Sequence, residues 1–416
     1  MRTLSISDFR SAQVSARNVC NPDMQIDGHH TATYVAARIA GFSHDEAAKI
    51  AYAAQYVDDA TNEGTIEFLD SPYMYARIAS AHRMIDYQNL MAMQNHLAWI
   101  PFHFLPGNEG LLAGQEPSQG ARRKLICRPD SPVARDMLKA AMEDIGSARE
   151  LHRLGVTMHV YADTFAHQGF VGSIDAANVV INARSDHPET DRAIATATRR
   201  ALLKSLRGQW MAFWALVLYS FESAWYEHEW PLAYWRHFLS KTPLGHAKAD
   251  TYPDQPYLKW SYTDCAGKVV ERDNPKTFLQ AMHMMVRAMR AWRARDFSVD
   301  LAKYEGLPLA DEKVVDRLFR SLKNPEGPLR QAEWAKAIAA GEFSFGPAIV
   351  TYIGKGEGSW KHRALGTTAD TDSGYERYPF SKEFITSDWK LFHDAIQVHR
   401  NAIVRDVLPR YGICAA

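Results

Sequence analysis

The sequence is short of several features that mark specialised chain classes, and each shortage removes a reading. Cysteine occurs only four times in 416 residues, at Cys20, Cys127, Cys265 and Cys414, with no C-x-x-C pair. That spacing argues against a thiolate zinc finger and against a disulfide scaffold, and it fits a reducing compartment. Charge of one sign is also missing, because Lys plus Arg and Asp plus Glu each number 48. A net charge of zero gives no broad electrostatic footprint for nucleic acid. Long apolar runs are absent as well. The uncharged stretch 208–221 falls short of the roughly 20 residues that span a bilayer and reads as a buried core helix. Residues 1–10 carry no apolar run of the signal-peptide kind. The expectation is therefore a cytoplasmic protein, or one exported by a route that uses no N-terminal signal peptide. There is neither an internal repeat nor a low-complexity linker.

What the chain does have is 46% hydrophobic residues, enough for a sizeable core. Helical periodicity dominates the first half. Residues 28–40 read as a helix with Asp27 as its N-cap and Gly41 at its end. Ser43 and Glu46 then form a capping-box pattern that opens a second helix running to about Tyr56 or Val57. Residues 72–99 read as helical, whereas 101–132 hold five prolines and four glycines and predict a long loop. Further helices are expected over 132–168, 191–241 with a break near Pro231, 275–295, 311–322, 328–340 and 387–407. Two interruptions, 242–275 and 341–379, separate them, with short strands expected over 343–353. The expected fold is all-α: a helical metal-binding core over 1–275, with a loop-rich helical portion over 276–416 packed on it and not tethered as a second domain.

The strongest local signal is His159-Val-Tyr-Ala-Asp163-Thr-Phe-Ala-His167, where three metal-ligand residue types recur every fourth position. On a helix they fall within an arc of about 80°, yet the two histidines stand roughly 12 Å apart along the axis, far for sharing one ion. Two neighbouring metals with Asp163 between them fit better, and such pairs suit phosphoryl chemistry. A polar stripe with a local ion pair is the alternative. Against it, Val160, Tyr161, Phe165 and Ala166 are apolar and predict a helix buried on several sides, where titratable groups need partners. Asp58 and Asp59 stand at a predicted helix C-terminus, where the dipole disfavours negative charge. Either a bound cation or a solvated turn explains them. Among the 17 histidines, His29, His30, His82, His103 in Pro-Phe-His-Phe-Leu-Pro-Gly and His246 in Gly-His-Ala-Lys-Ala-Asp stand in contexts that together resemble a site assembled from distant segments.

Asp27-Gly-His29, Gln55-Tyr-Val-Asp58-Asp59, Pro101-Phe-His-Phe-Leu-Pro-Gly107, His159-x-x-x-Asp163-x-x-x-His167, and Gly245-His246 followed by Pro253-Asp-Gln-Pro-Tyr-Leu-Lys-Trp260 resemble the zinc-dependent phospholipase C family, and more distantly nucleases of the P1 type. The resemblance covers about residues 24–262. It is greatest to a subgroup without ordinary signal peptides, which includes phosphatidylcholine-cleaving enzymes and secreted effectors. It implies an all-helical fold holding two or three Zn2+ ions, with His29, Asp58, His82, His159, Asp163, His167 and His246 as ligands. The last carboxylate is Asp250 or Asp254. The family's terminal-amine ligand has no counterpart here, because the first histidine lies more than 20 residues into the chain; Asp27 is the candidate to replace it.

The expected activity is hydrolysis of a phosphodiester, on the glycerol side of a phosphatidylcholine-like lipid. Asp58 or Asp59 would orient or deprotonate a metal-activated water. His103, Tyr56, Trp260 and Tyr262 are candidates for contact with substrate, the aromatics through cation–π contact with a choline head group, although ordinary packing explains aromatics too. Lipid and a transient membrane surface are the expected partners, reached through the 101–132 loop or the tryptophan-rich stretch 210–235. Nucleic acid is not expected. The alternatives are a nuclease or phosphomonoesterase with the same metals, and a non-enzymatic zinc-stabilised helical protein.

Overall fold

A computed structural model of the protein describes residues 26–69, 71–82, 92–118, 120–196, 244–369 and 377–415. The chain is mostly helical but not all-α. Two three-stranded sheets accompany the helices among the described residues.

The predicted first helix is present with a different start. Residues Asp27–Ala32 form a π-helical turn that continues into α1, Thr33–Ile39, and Asp27 makes no cap hydrogen bond. Helix α2, His44–Asp59, opens on the expected capping box, with Ser43 Oγ accepting from the Glu46 amide and the Glu46 carboxylate accepting from the Ser43 amide. It ends on the two aspartates. Strands β1, Gly64–Leu69, and β2, Met74–Arg77, then pair antiparallel, Gly64 opposite Arg77. This corrects the helix expected over 72–99. Ile66 and Phe68 alternate inward along β1 with period two, and an edge of that kind needs a partner strand. Among the described residues the helical part is α3, Ala92–Phe102. Residues 83–91 lie outside the described part.

Prolines and glycines hold 103–131 in loops and short 3-10 turns, as expected. The predicted 132–168 helix is two helices, α4 at Pro132–Met142 and α5 at Glu150–Ala166, separated by turns around Gly146. Strands β3 (Ile181–Ser185), β4 (Lys259–Thr263) and β5 (Val269–Asp273) form the second sheet, antiparallel throughout. Of the helix expected over 191–241, residues 191–196 are helical. Residues 197–243, with the 208–221 and 210–235 stretches, fall outside the described part. Helices α6 (Asn274–Arg293), α7 (Leu309–Ser321), α8 (Gly327–Ala339), α9 (Trp360–Leu365) and α10 (Asp388–Asn401) complete the chain. No strand forms over 343–353, a second correction. The segment is a turn at 343–346 followed by coil without strand pairing, and β6, Arg377–Pro379, pairs with β1.

The central element is α5, packed on α2, α6 and α10. Its Gly155 permits the closest approach: a Cβ there would stand 2.4 Å from the Ile50 carbonyl oxygen and 2.7 Å from the Ala53 methyl. Four or five residues further along both helices, Asp58 and His159 meet. Tyr34, Ile50, Met158, Met285, Trp334 and Leu408 belong to one buried cluster, so residues before and after position 275 share a core. No helix among the described residues is long and apolar enough to cross a membrane.

Candidate metal centre

Helix α5 carries the residues from which the site is built. His159 and Asp163 lie one turn apart on its buried face, with Nε2 of the histidine 3.3 Å from Oδ2 of the aspartate. The helix stops at Ala166, and His167 follows as its C-cap at φ −91°, ψ 11°, its amide still bonded to the Asp163 carbonyl and its Nδ1 3.5 Å from Asp163 Oδ2. Arg272 on β5 fixes that end by donating to the carbonyls of Ala166 (2.8 Å) and Gln168 (2.7 Å), a cation where the helix dipole favours one. The three residues expected on one arc do share it, with Asp163 between the two histidines.

Around His159 and Asp163 stand Asp58 from the end of α2 and His103 from the residue after α3. His103 Nδ1 lies 3.2 Å from Asp163 Oδ2, 3.3 Å from His159 Nε2 and 3.8 Å from Asp58 Oδ1, and the last is 3.7 Å from His159 Nε2. Four donors around a tetrahedral ion with bonds near 2.0 Å would be separated by about 3.3 Å. The triad His103, His159 and Asp163 matches that spacing for one divalent ion, and Asp58 stands slightly further out, in a second triad with His29 and the same His159. His29 closes it on another side, its ring stacked on His159 at 3.9 Å and Nε2 3.2 Å from Asp163 Oδ1.

His167 belongs to a second pocket. Its Nε2 is 3.3 Å from Asp254 Oδ1, and His246 Nε2 is 3.5 Å from Asp254 Oδ2. The two histidine rings are 4.7 Å apart. Asp254 ends a 3-10 turn, Tyr252–Asp254, which Asn274 holds by donating to the Tyr252 and Gln255 carbonyls, 2.8 Å each. The His246 side chain is 21% exposed, against 9% or less for the other side chains of the two pockets, so the second pocket reaches the surface at His246. The triads His29, Asp58, His159; His103, His159, Asp163; and His167, His246, Asp254 are each close enough to hold a metal ion.

Backbone carbonyls set the tautomers. His103 Nε2–H donates to the Ser80 carbonyl (3.1 Å), His167 Nδ1–H to the His103 carbonyl (2.8 Å) and His246 Nδ1–H to the Asp250 carbonyl (2.7 Å). A carbonyl can only accept, so in each neutral ring the inward nitrogen carries the lone pair, the orientation metal-binding histidines need. Asp250 provides its carbonyl from φ 51°, ψ −134°, a conformation that L residues rarely adopt.

Electrostatics agree. Burial raises the Asp163 carboxyl, but His167, His159 and His29 outweigh it and hold the group well below the usual carboxylate range. Burial pushes the Asp58 carboxyl up to about 7 despite His29 and His103. Burial likewise drives His159 down to about 3, leaving a neutral ring. His167 goes the other way: Asp163 and Asp254 overcome burial and lift it to about 9. The same balance of burial against Asp163 raises His29, while burial lowers His246.

Several expected site residues are placed elsewhere. Asp27 lies outside the three triads: both its oxygens accept from Arg330 at 2.8 Å, which accounts for its burial. Asp59 turns away from Asp58 to accept from the Tyr352 hydroxyl at 2.5 Å, with Lys355 at 3.9 Å. Of the two alternatives for the last carboxylate, Asp254 joins the cluster and Asp250 contributes its carbonyl. His82 packs against Trp99, ring centroids 6.2 Å apart, outside the three triads. Tyr56 is buried against Trp360 and Phe392, and Trp260 donates to Asn274 while stacking on Tyr262. These aromatics are core. His103, expected at the substrate, is instead a donor of the first pocket. Ser80, Arg272, Arg330 and Gln255 went unnoticed in the sequence; for Gln255 the Pro-Asp-Gln-Pro motif was a signal.

Fold and site together define a mostly helical protein with buried His/Asp clusters that could hold metal ions. The chain belongs to a family of unknown function, DUF6765, whose model matches residues 24–407. No curated protein and no solved structure matches it.

Proposed function

We propose that the protein is a metal-dependent phosphodiester hydrolase, a phospholipase C that cleaves phosphatidylcholine-like lipids to diacylglycerol and a phosphorylated head group. The observation that carries this is the contrast between pockets: one sealed, where two triads share His159, the other with three donors and an edge open at His246. Three protein donors with a free position are the usual arrangement for zinc that activates water. Imidazole and carboxylate donors without thiolate suit Zn2+. The first two triads share His159 Nε2, which can bind one ion at a time, so the geometry favours two ions. The residues that converge come from the segments resembling zinc-dependent phospholipases C and P1-type nucleases, which supports a related core.

Bound zinc would supply Lewis acidity toward phosphate oxygens and lower the pKa of a water toward about 7. The chain does the rest. Ser80, His103 and Asp250 aim their partner rings through backbone carbonyls. His246 and Asp254 line the side that substrate approaches. Asp58, held up to about 7 by burial without metal, gives up its proton when an ion binds beside it.

Phosphocholine release from phosphatidylcholine vesicles tests the proposal. Wild type should release it, lose the activity to a chelator and regain it with Zn2+, while His159→Ala should stay inactive. Equal release by both proteins would sink it. A panel of single-stranded DNA, p-nitrophenyl phosphate and bis(p-nitrophenyl) phosphate separates a nuclease or phosphomonoesterase from a lipase. Deep burial of the first pocket favours a second reading, a zinc-stabilised protein without turnover. Tight Zn2+ binding with no hydrolysis of any substrate would establish that reading instead.

A further inference from the structure

Helix α8 lies outside the segments that supply the clustered donors, yet its side chains bond to chain neighbours of donors in both pockets. Arg330 is 2% exposed. Its Nε and one terminal nitrogen donate to the two oxygens of Asp27, both at 2.8 Å. The other terminal nitrogen donates to Gln255 Oε1 at 2.8 Å and to the Asn324 carbonyl at 2.7 Å. Asp27 stands two residues before His29, and Gln255 one residue after Asp254. The next residue of the helix, Gln331, donates to His30 Nδ1 at 3.1 Å. Two adjacent side chains of α8 thus grip the π-helical turn on either side of His29, and the first of them extends across to the turn that carries Asp254.

A buried guanidinium has five N–H donors in a rigid plane, so four bonds fix the relative position of the groups that accept them. Leaving such a network incomplete exposes a buried charge, which makes a casual arrangement costly. Granting that the cluster holds metal, we infer that Arg330 is a positioning residue for the whole centre. It acts through Asp27 on His29 at the first pocket and through Gln255 on Asp254 at the second, and so makes ion binding at one pocket depend on residues far along the chain. Arg330 touches neither an ion nor substrate in this role.

Co2+ is the probe, because its visible absorption reports its ligand geometry. The full-length chain, stripped of metal, is titrated as wild type, Arg330→Gln, Arg330→Lys and Gln255→Met. Asp311→Asn is the control for general loss of stability: its buried carboxylate accepts from Ser344, a contact remote in sequence from every donor of the centre. Partner groups that orient metal ligands typically contribute 10–100-fold in affinity. Arg330→Gln is expected to lose about that much in both binding steps and to change the absorption bands. Arg330→Lys, which keeps the charge on Asp27 but not the fork, should recover part of the affinity. Gln255→Met leaves the Asp27 pair intact and should weaken one step only; it also keeps the test open if Arg330→Gln fails to fold. Wild-type titrations and spectra in Arg330→Gln or Gln255→Met would overturn the inference, as would an equal loss in Asp311→Asn. Absence of Co2+ binding by wild type would instead remove the metal reading on which it rests.

Discussion

The two pockets meet at one helix, where Asp163 of the first lies 3.5 Å from His167 of the second, but differ in what their surroundings allow. In the first, Asp58, His103, His159 and Asp163 approach from three helices, and their side chains are 9% exposed or less. In the second, His167, His246 and Asp254 come from a helix end and two turns, and one member meets solvent. Packing of α2, α3 and α5 around the first pocket seals it, whereas the turns that carry His246 and Asp254 leave one side of the second open. On the proposed function, the first pocket would hold structure and the second would receive substrate.

Asp254→Ala should produce the largest effect and the sharpest separation. The second pocket loses one of three donors while α2, α3 and α5 keep theirs. A Lewis-acid ion provides several kcal/mol at the transition state, so phosphodiester hydrolysis should fall by about 10³-fold or more. The melting temperature should stay close to wild type, read by circular dichroism on the same preparation. Should Asp254→Ala unfold the protein while leaving residual activity per folded molecule unchanged, the division of labour would be reversed.

Gly155→Val attacks the other side of the comparison. An added side chain meets the Ile50 carbonyl and Ala53, backbone and a short methyl that cannot rotate away. Overpacking of this kind costs about 1–3 kcal/mol, read as a lower midpoint in urea. Because the same contact brings Asp58 to His159, zinc content should drop from two ions toward one. Unchanged zinc content in a destabilised variant would uncouple the helix contact from the first pocket.

Protons give a third handle. In the metal-free protein Asp58 is raised to about 7 and His167 to about 9, so below those values each holds a proton that a metal must displace. Zinc affinity should therefore rise with pH, roughly tenfold per unit for each proton released. The first pocket should level off above about 7 and the second only above about 9. For stability without metal the sign is opposite. Both groups have folded values above their unfolded ones, so the stability they provide is full at low pH. It is lost as pH rises, through about 7 for Asp58 and from 6.5 through about 9 for His167. Calorimetric titrations between pH 6 and 9.5 would show two inflections; a flat profile would mean the protons are held elsewhere.

The sequence announces the first half of this centre better than the second. His159 and Asp163 are legible because both lie within one helix, where a four-residue spacing fixes a shared face. His167 keeps that spacing and its contact with Asp163, but its reach to His246 and Asp254 depends on the chain beyond the helix end, which nothing local in Phe-Ala-His announces. Asp27 was read as a cap because an acid at a helix start serves well as one, and its partner, Arg330, is 303 residues away. His103 was expected at the substrate because its place beside His159 and Asp163 depends on where α3 ends relative to α5. The carbonyls of Ser80 and Asp250 carry no residue-type signal at all. The helices were legible through caps and periodicity, while the strands, three to six residues long, are shorter than a helical period pattern can resolve.

Asp59→Asn should have the smallest effect, and it separates the paired aspartates at the end of α2. Both are acidic, adjacent and placed where the helix dipole disfavours them, so sequence alone cannot rank them. The structure gives Asp58 to the first pocket and Asp59 to Tyr352 and Lys355, on the coil segment that runs over α2. The Tyr352 hydroxyl can donate to an amide oxygen as well as to a carboxylate, so the contact survives in weakened form. Weakening the contact should cost about 1 kcal/mol of stability, the typical net contribution of one hydrogen bond. Hydrolysis should change by less than about threefold, because at 1.4 kcal/mol per factor of ten this contact has little leverage on the barrier. Asp58→Asn under the same assay should fall far more steeply. If instead Asp59→Asn loses activity as severely as Asp58→Asn, then Tyr352 releases Asp59 during turnover, and the centre is served by the pair and not by Asp58 alone.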